Sequence, residues 1–283
     1  LKPQHLQCIE LTKKLTNSNA EGCTIGSTQL TFNPQPIQFL DIEIDIGTAG
    51  SITLLLQSVL LPVIERKKRK VRLQITGGTD VSWSPQFEYF KEVLLPQYAR
   101  YADIECFLHK RGYYPAGQGS VEVIIKKRKG MKSDSKTPQL VLDKVGKLIQ
   151  IRGVSHASRE LETNHVAERM ERAATTLLQK YKIPITIHPT YAKTESVGCG
   201  ITLYALYTRE KGVEDIDNRD PIRVGADVLG EKNISAEKVG EQCAKQLIAT
   251  IDLQVPVDEY LCDMLIPLLG YYGGTIKTNK ITS

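Results

Sequence analysis

No Cys-x-x-Cys pair occurs in this chain, and no cluster of cysteine and histidine has the spacing of zinc ligands. Six cysteines stand apart at positions 8, 23, 106, 199, 243 and 262. The ordinary structural zinc modules are thereby excluded. A signal-peptide pattern is also lacking, so the expectation is a cytoplasmic chain with mostly reduced thiols. No apolar run has membrane length. The longest, 49–64, holds 16 residues and contains Gln57 and Pro62. It falls short of the roughly 20 needed to cross a bilayer and reads as a buried core helix, so no membrane partner is expected. The glycine-rich turn GTAGS at 47–51 is not followed by Gly-Lys-Ser/Thr, which excludes a P-loop. No internal repeat stands out.

What is present is an ordinary globular composition. The chain has 283 residues, 41% hydrophobic and 24% charged. That length holds one large domain or two ordinary ones, with ample material for a core. Net charge is +5 and the pI near 8.7. This mild excess is compatible with a polyanionic partner without requiring one. The basic residues concentrate in RKKRK at 66–70 and KKRK at 126–129, followed by Lys132 and Lys136. Such runs form solvated loops or contact phosphate.

Strand and helix patterns alternate along the chain. Leu6, Ile9 and Leu15 mark a helix over 3–15, with proline near its start. Residues 23–32 suggest two short strands around Gly26 and Ser27. Alternation over 37–46 predicts a strand that leads through GTAGS into the apolar helix. Further strands are expected at 71–75, 103–109 and 120–126, and a helix at 85–98. The polar stretch 126–139 is the best linker candidate. Beyond it come strands at 147–152, 183–188 and 200–208. Helices follow from Val166, Met170, Ala173, Leu177 and Tyr181, and from Ala236, Val239, Cys243, Leu247 and Ile251. The fold class is α/β or α+β, with a second unit between about 146 and 254.

Four segments carry possible chemistry. RGYYPAGQG at 111–119 packs three glycines, a proline and two tyrosines into nine residues before a strand. It reads as a tight loop, and such loops also serve as plain hairpin turns. GTAGS sets glycines and a hydroxyl at a strand-to-helix turn, a place for phosphate or for a simple cap. Gln57 is the one long polar side chain in its apolar helix, and its amide needs partners from the fold or from a ligand. VDEYLCDMLIPLL at 257–269 is compatible with an amphipathic helix bearing Asp258 and Glu259 on its first turn. Tyr260, Asp263 and Met264 then face a similar direction.

Taken in order, GTAGSITLLLQ at 47–57, GGTDVSWSP at 77–85 and RGYYPAGQG resemble the RNA 3'-terminal phosphate cyclase family. The likeness continues in LKPQHL at 1–6, EGCTIGSTQLTFNP at 21–34 and VDEYLCDMLIPLL. It is weakest between about 146 and 254. The resemblance implies a large domain of repeated β/α units, 1–145 with 255–283, interrupted by a smaller α/β domain at 146–254. It implies ATP as cosubstrate, a divalent metal (magnesium or manganese), and RNA with a 3'-terminal phosphate as partner. The nucleotide-binding positions it marks are Gln4, Gln57 and the segment Tyr260, Leu261, Cys262, Asp263, Met264. Tyr260 and Asp263 match the family pattern, and Met264 replaces the usual glutamine. Ser82 stands where many members carry proline, and Gln118 where the loop usually reads glycine.

The implied reaction is three nucleotidyl steps that end in a 2',3'-cyclic phosphate. The nucleophile of that family is a histidine, and the match places it immediately after Ser283. His5, His109, His156, His165 and His188 do not occupy that position and read as surface or packing residues. The chain starts without Met and stops at Ser283, so sequence at both ends is expected to be missing. Two other classes compete with the enzyme: cyclase-like ribosome-assembly proteins without the histidine, and carboxyvinyl transferase-like enzymes sharing related β/α units.

Overall fold

Alternation of buried and exposed side chains gives the first sheet its inner and outer faces. Residues of Asp41–Asp45 (β3) and Val71–Gly77 (β4) alternate in burial, as period-two strands with one packed face must. The computed structural model describes residues 1–66, 70–128, 138–209 and 216–282. Lys67, Lys68 and Arg69 of the first basic run, Lys129 of the second, Lys132, Lys136 and most of the linker at 126–139 lie outside the described residues.

The chain divides into two compact units. The first comprises 1–84, 101–130 and 194–196. Its helix α1, Pro3–Thr16, is followed by a small antiparallel pair, Ala20–Glu21 (β1) with Thr31–Phe32 (β2). The ladder therefore lies outside Gly22 and Gly26, whose positive φ values serve the loop between. The chain stays unpaired up to β3, because the N–H groups of Gln38 and Phe39 go to the carbonyl of Leu15 at the end of α1. From β3 it passes through GTAGS into α2, Ile52–Glu65, and on to β4, which pairs parallel with β3. Ala102–Lys110 (β5) and Gly119–Lys127 (β6) complete a sheet of order β3-β4-β6-β5. β6 runs antiparallel to both neighbours. Ile52, Leu55, Leu56, Val59, Leu60 and Ile64 of α2 are buried, as are Leu73, Ile75, Val121 and Val123 of the sheet. Each such side chain contributes roughly 1.5–3 kcal/mol by leaving water.

The strands β3, β4 and β5 share one direction, so their carboxyl ends lie at one end of the sheet. The three glycine-rich loops leave from there and are bonded to one another. Gly78 donates to the carbonyl of Gly50 at 2.8 Å, and Ile52 to that of Gly78 at 2.9 Å. Thr79 donates through its N–H to the carbonyl of Gly112, and the Gly112 N–H donates to the Thr79 Oγ1, both at 2.9 Å. A buried ion pair closes the set. Arg111 Nη1 reaches Asp80 Oδ2 at 2.7 Å, with the two side chains 5% and 0% exposed.

The second unit comprises 85–100, 131–193 and 197–283. The helix expected over 85–98 is present but interrupted. Residues Phe87–Tyr89 and Leu95–Tyr98 are α-helical, while Phe90–Leu94 forms a widened π turn. Pro96 explains it, since it has no N–H to give the carbonyl of Glu92. Arg223 supplies the missing donor, its Nη1 lying 2.8 Å from that oxygen.

Leu140–Leu142 (β7) pairs parallel with a distant strand near the end of the unit, Gly274–Ile276 (β12). Between them lies a four-stranded sheet, order β11-β10-β8-β9. Its strands are Lys147–Ser158 (β8), Ile185–Ala192 (β9), Cys199–Thr208 (β10) and Ile222–Leu229 (β11). β8 and β9 pair in parallel across the helix α3, Val166–Leu178. A second helix, α4, Ala236–Asp252, joins α3 on the sheet, and Arg169 binds both carboxylate oxygens of Glu237 between them at 2.6 and 2.9 Å. Ile151, Met170, Leu178, Leu203, Val224, Cys243 and Leu247 belong to the shared core. Among the described residues no helix is long and apolar enough to cross a membrane.

Helix α5, Glu259–Tyr272, begins on a buried carboxylate. Asp258 Oδ1 accepts from the Tyr89 hydroxyl at 2.6 Å and from the Leu261 N–H at 2.9 Å, and its Oδ2 accepts from Gly225 at 3.0 Å. Burial pushes this carboxyl above its ordinary value, against the pull of those donors.

Two stability outcomes follow from these buried charges. Arg111→Met removes the guanidinium bonded to the buried Asp80 Oδ2 and should cost about 3–5 kcal/mol in urea unfolding. Adding Asp80→Leu should restore most of that loss; a double variant as unstable as the single one would show that the charge is not the cause. Tyr89→Phe should cost about 1–3 kcal/mol near neutral pH. It removes a donor to the charged form, so the Asp258 pKa rises further in the folded protein. A folded-state pKa above the unfolded one makes stability fall as pH climbs past about 3.9. The deficit of Tyr89→Phe should therefore grow above pH 4 and shrink toward it. A deficit independent of pH would remove Asp258 from the explanation.

Candidate functional site

The turn GTAGS shows what a strand-to-helix junction does with its amides. Ser51 is the N-cap of α2, and its Oγ accepts from Leu54 N–H at 3.2 Å. The Ile52 N–H goes to Gly78, as above. The Ser51 N–H donates to Gln4 Oε1 at 2.9 Å, while Gln4 Nε2 donates to the Ser51 carbonyl at 3.1 Å. The Gln4 carboxamide thus pairs with one peptide unit on both sides and ties α1 to the turn. Of the two uses that the motif allows, capping accounts for these donors.

The loops approach closely enough to demand glycine. Gly117 has φ +68, and a Cβ there would lie 2.8 Å from the Ala49 Cα. A Cβ on Gly78 would lie 2.5 Å from the Ala49 carbonyl oxygen. The backbone therefore forms a closed floor at the carboxyl ends of β3, β4 and β5. In open α/β sheets, ligands sit outside such strand ends.

Gln57 lies on α2 beyond this floor and is half-buried. Its Nε2 donates to Thr53 O at 3.2 Å, inside its own helix. Its Oε1 accepts no protein hydrogen bond among the described residues. This carbonyl keeps its full capacity to accept a hydrogen bond.

In the second unit, the predicted residues lie on the first two turns of α5. Tyr260 is 58% exposed, and Asp263 is exposed while Met264 is half-buried. Leu261 is fully buried, and its N–H is held by Asp258. Cys262 is half-buried, and burial raises its thiol pKa, with the nearby acids adding to the effect. Burial also raises the Tyr260 phenol, with Glu259 second. The segment after β12 turns back along this helix. Val257 and Thr278 are bridged in parallel, Lys280 lies 3.5 Å from Glu259, and Thr282 donates to Asp263 Oδ1 at 3.0 Å. Gln4 and Gln57 belong to the first unit and Tyr260–Met264 to the second.

Of the five histidines, His5, His109, His165 and His188 are exposed. His109 meets Glu122 at 2.9 Å, and buried His156 meets Gln86 Oε1 at 2.7 Å. None of the six cysteines forms a disulfide. Sequence reading did not find the Asp80–Arg111 pair or the Asp258 network. Asp80 and Arg111 sit inside motifs already singled out, and an acid and a base flanking glycine loops was the available signal.

Comparison with known proteins identifies the family. The model of the family described as "RNA 3'-terminal phosphate cyclase" matches residues 1–283. A Pyrococcus abyssi protein named RNA 3'-terminal phosphate cyclase is 36% identical over 286 residues, covering 100% of this chain and 77% of its own length. The like-named protein of Pyrococcus furiosus is 37% identical over 283 residues, with the same coverage. One from Saccharolobus islandicus is 38% identical over 287 residues, covering 100% of this chain and 78% of its own length. With its whole length matched by the family model and by relatives at such identity, this chain belongs to the RNA 3'-terminal phosphate cyclase family.

Proposed function

We propose that this chain is an RNA 3'-terminal phosphate cyclase, which converts an RNA 3'-phosphate to a 2',3'-cyclic phosphate with ATP. The full-length family match carries the reading. In the first step a histidine nitrogen attacks the α-phosphorus of ATP and pyrophosphate leaves. An oxygen of the RNA 3'-phosphate then takes the adenylyl group and frees the histidine. Finally the 2'-hydroxyl attacks the activated phosphorus, and AMP leaves as the ring closes. Splitting the reaction this way replaces one hard displacement with easier ones. A histidine directly following Ser283 is the nucleophile in this reading. The return of residues 278–282 along α5, with Thr282 bonded to Asp263, supports it.

The residues present suit a nucleotide. The exposed Tyr260 ring offers a stacking face, Asp263 an acceptor, and Gln57 an unspent carbonyl. Gln4 contributes by holding the GTAGS turn, and Leu261 by seating α5 in the core. Cys262 and Met264 flank this face, with a thioether where a glutamine amide would offer hydrogen bonds. A divalent cation supplies neutralisation of phosphate charge. The domain arrangement proposed is a large domain, 1–145 with 255–283, and an inserted one at 146–254. Its support is the core running from Ile151 to Ile251, drawn from that segment.

ATP labelled at the α-phosphate tests the chemistry. A chain extended by its natural following residues should take up label with a divalent metal and then close 3'-phosphorylated RNA. The chain ending at Ser283 should take up none, and alanine in place of the next histidine should abolish uptake without unfolding. No label in the extended chain would favour a non-catalytic, ribosome-assembly role. Gln57→Ala should raise the KM for ATP about 2–10-fold, the worth of one hydrogen bond; an unchanged KM would remove Gln57 from the site.

A further inference from the structure

Trp83 is the only tryptophan in the chain, and it is 98% exposed. Tyr114 is 74% exposed. They are the two most exposed aromatic side chains among the described residues. Large rings ordinarily go inside, where their area contributes most. Both rings instead stand on loops whose bases are bonded together. Asp80 is bridged to Tyr113, whose own ring is 3% exposed, and the Asp80–Arg111 pair and Thr79–Gly112 bonds lie directly beneath. Trp83 follows Asp80 by three residues, and Tyr114 follows Tyr113 by one.

The tips are held firmly. Trp83 has φ +66, a left-handed conformation unfavourable for a bulky residue, within a turn closed by Ser84 Oγ donating to Val81 O at 2.9 Å. Such backbone persists where surroundings over-determine it, and it concentrates at functional positions. Tyr114 lies in a loop closed by Gly117 N–H to Tyr113 O at 2.8 Å and by Ala116 N–H to Ser196 Oγ at 3.0 Å. Exposed Ser82 and half-buried Ser84 flank Trp83 in the chain, and exposed Gln118 belongs to the Tyr114 loop. That setting breaks up the contiguous apolar patch a protein partner would need. Flat rings on rigid polar loops fit planar bases, which stack without sequence preference when a strand is unpaired.

We propose that Trp83 and Tyr114 form a stacking surface for unpaired bases near the end of the RNA substrate. The proposal rests on the RNA-cyclising reading above and adds the residues that position the strand. They act on the bases, away from the reacting phosphate.

The single tryptophan makes the test direct. A 3'-phosphorylated single-stranded oligonucleotide should quench the fluorescence of the full chain in a saturable way. Replacing its last two nucleotides with abasic ones should weaken binding by about 5–150-fold, the worth of one stacked base. With labelled RNA followed by anisotropy, Trp83→Ala and Tyr114→Ala should each weaken binding about 10-fold or more. Trp83→Phe and Tyr114→Phe should recover most of it. If an alanine variant does not fold, the abasic series and the phenylalanine variants decide. Absence of quenching, equal affinity for abasic RNA, equal quenching by blunt duplex RNA, or quenching by ATP with no further change on adding RNA would each overturn the proposal. Cyclisation by the parent protein separates the two readings. Quenching without cyclisation removes the reaction and leaves the stacking surface, whereas cyclisation without quenching removes the stacking surface alone.

Discussion

The bonding of three loops at one end of the first sheet is the constraint on which the rest of that unit depends. Loops at strand ends are ordinarily the mobile part of a domain. Here the backbone of Gly50, Gly78 and Gly112 continues the sheet's hydrogen bonding past the strands, and Arg111 with Asp80 closes it below the surface. A buried ion pair is poor evidence of net stability, since desolvation consumes most of its attraction. Its consequence is geometric. Neither charge tolerates losing the other, so the loop after β4 and the loop before β6 keep one relation. Glycines make this possible, because the Ala49 backbone occupies the space that side chains at 78 and 117 would need.

The second unit uses a carboxylate in a comparable way. Asp258 caps α5 and also gathers Tyr89 and Gly225, so the start of the helix, the interrupted helix before Ala99 and the strand β11 meet at two oxygens. An ordinary N-cap satisfies one or two amides at the surface. This one is 2% exposed, which fixes where α5 begins and hence which residues form its outer face. Tyr260 and Asp263 are presented outward because Leu261 and Leu265 are fully buried on the opposite side.

Much of this was legible in the sequence where the signal is local. The alternation of β3 and β4, the apolar α2 and the amphipathic α3 and α4 follow from residue periods. The glycine blocks were readable as loops, although their mutual bonding was not. What escaped depends on distant partners. Strands β7 and β12 have three residues each and pair over a separation of more than a hundred, too short for any pattern to register. The widened turn at 90–94 needed both Pro96, which was visible, and Arg223, which was not connectable to it. The Asp258 carboxylate looked like a first-turn acid on an amphipathic helix, and only packing shows it buried. In the candidate site, Gln57 stood out because it interrupts an apolar face, which needs no alignment of distant segments, while its nucleotide role was implied by the resemblance alone.

The GTAGS turn changes where nucleotide contacts can come from. A free helix N-terminus binds phosphate with its amides. At α2 the amides of Ser51, Ile52 and Leu54 are already given to Gln4, Gly78 and the Ser51 hydroxyl. Anion binding through those donors would require breaking bonds that hold the three loops together. In the reading proposed above, ligand recognition in the first unit falls to side chains whose atoms the fold has not used, namely the Gln57 carbonyl and the rings of Trp83 and Tyr114. A rigid backbone floor with recognition carried by side chains keeps the loops in place whether or not a ligand is bound, so binding there incurs little ordering cost.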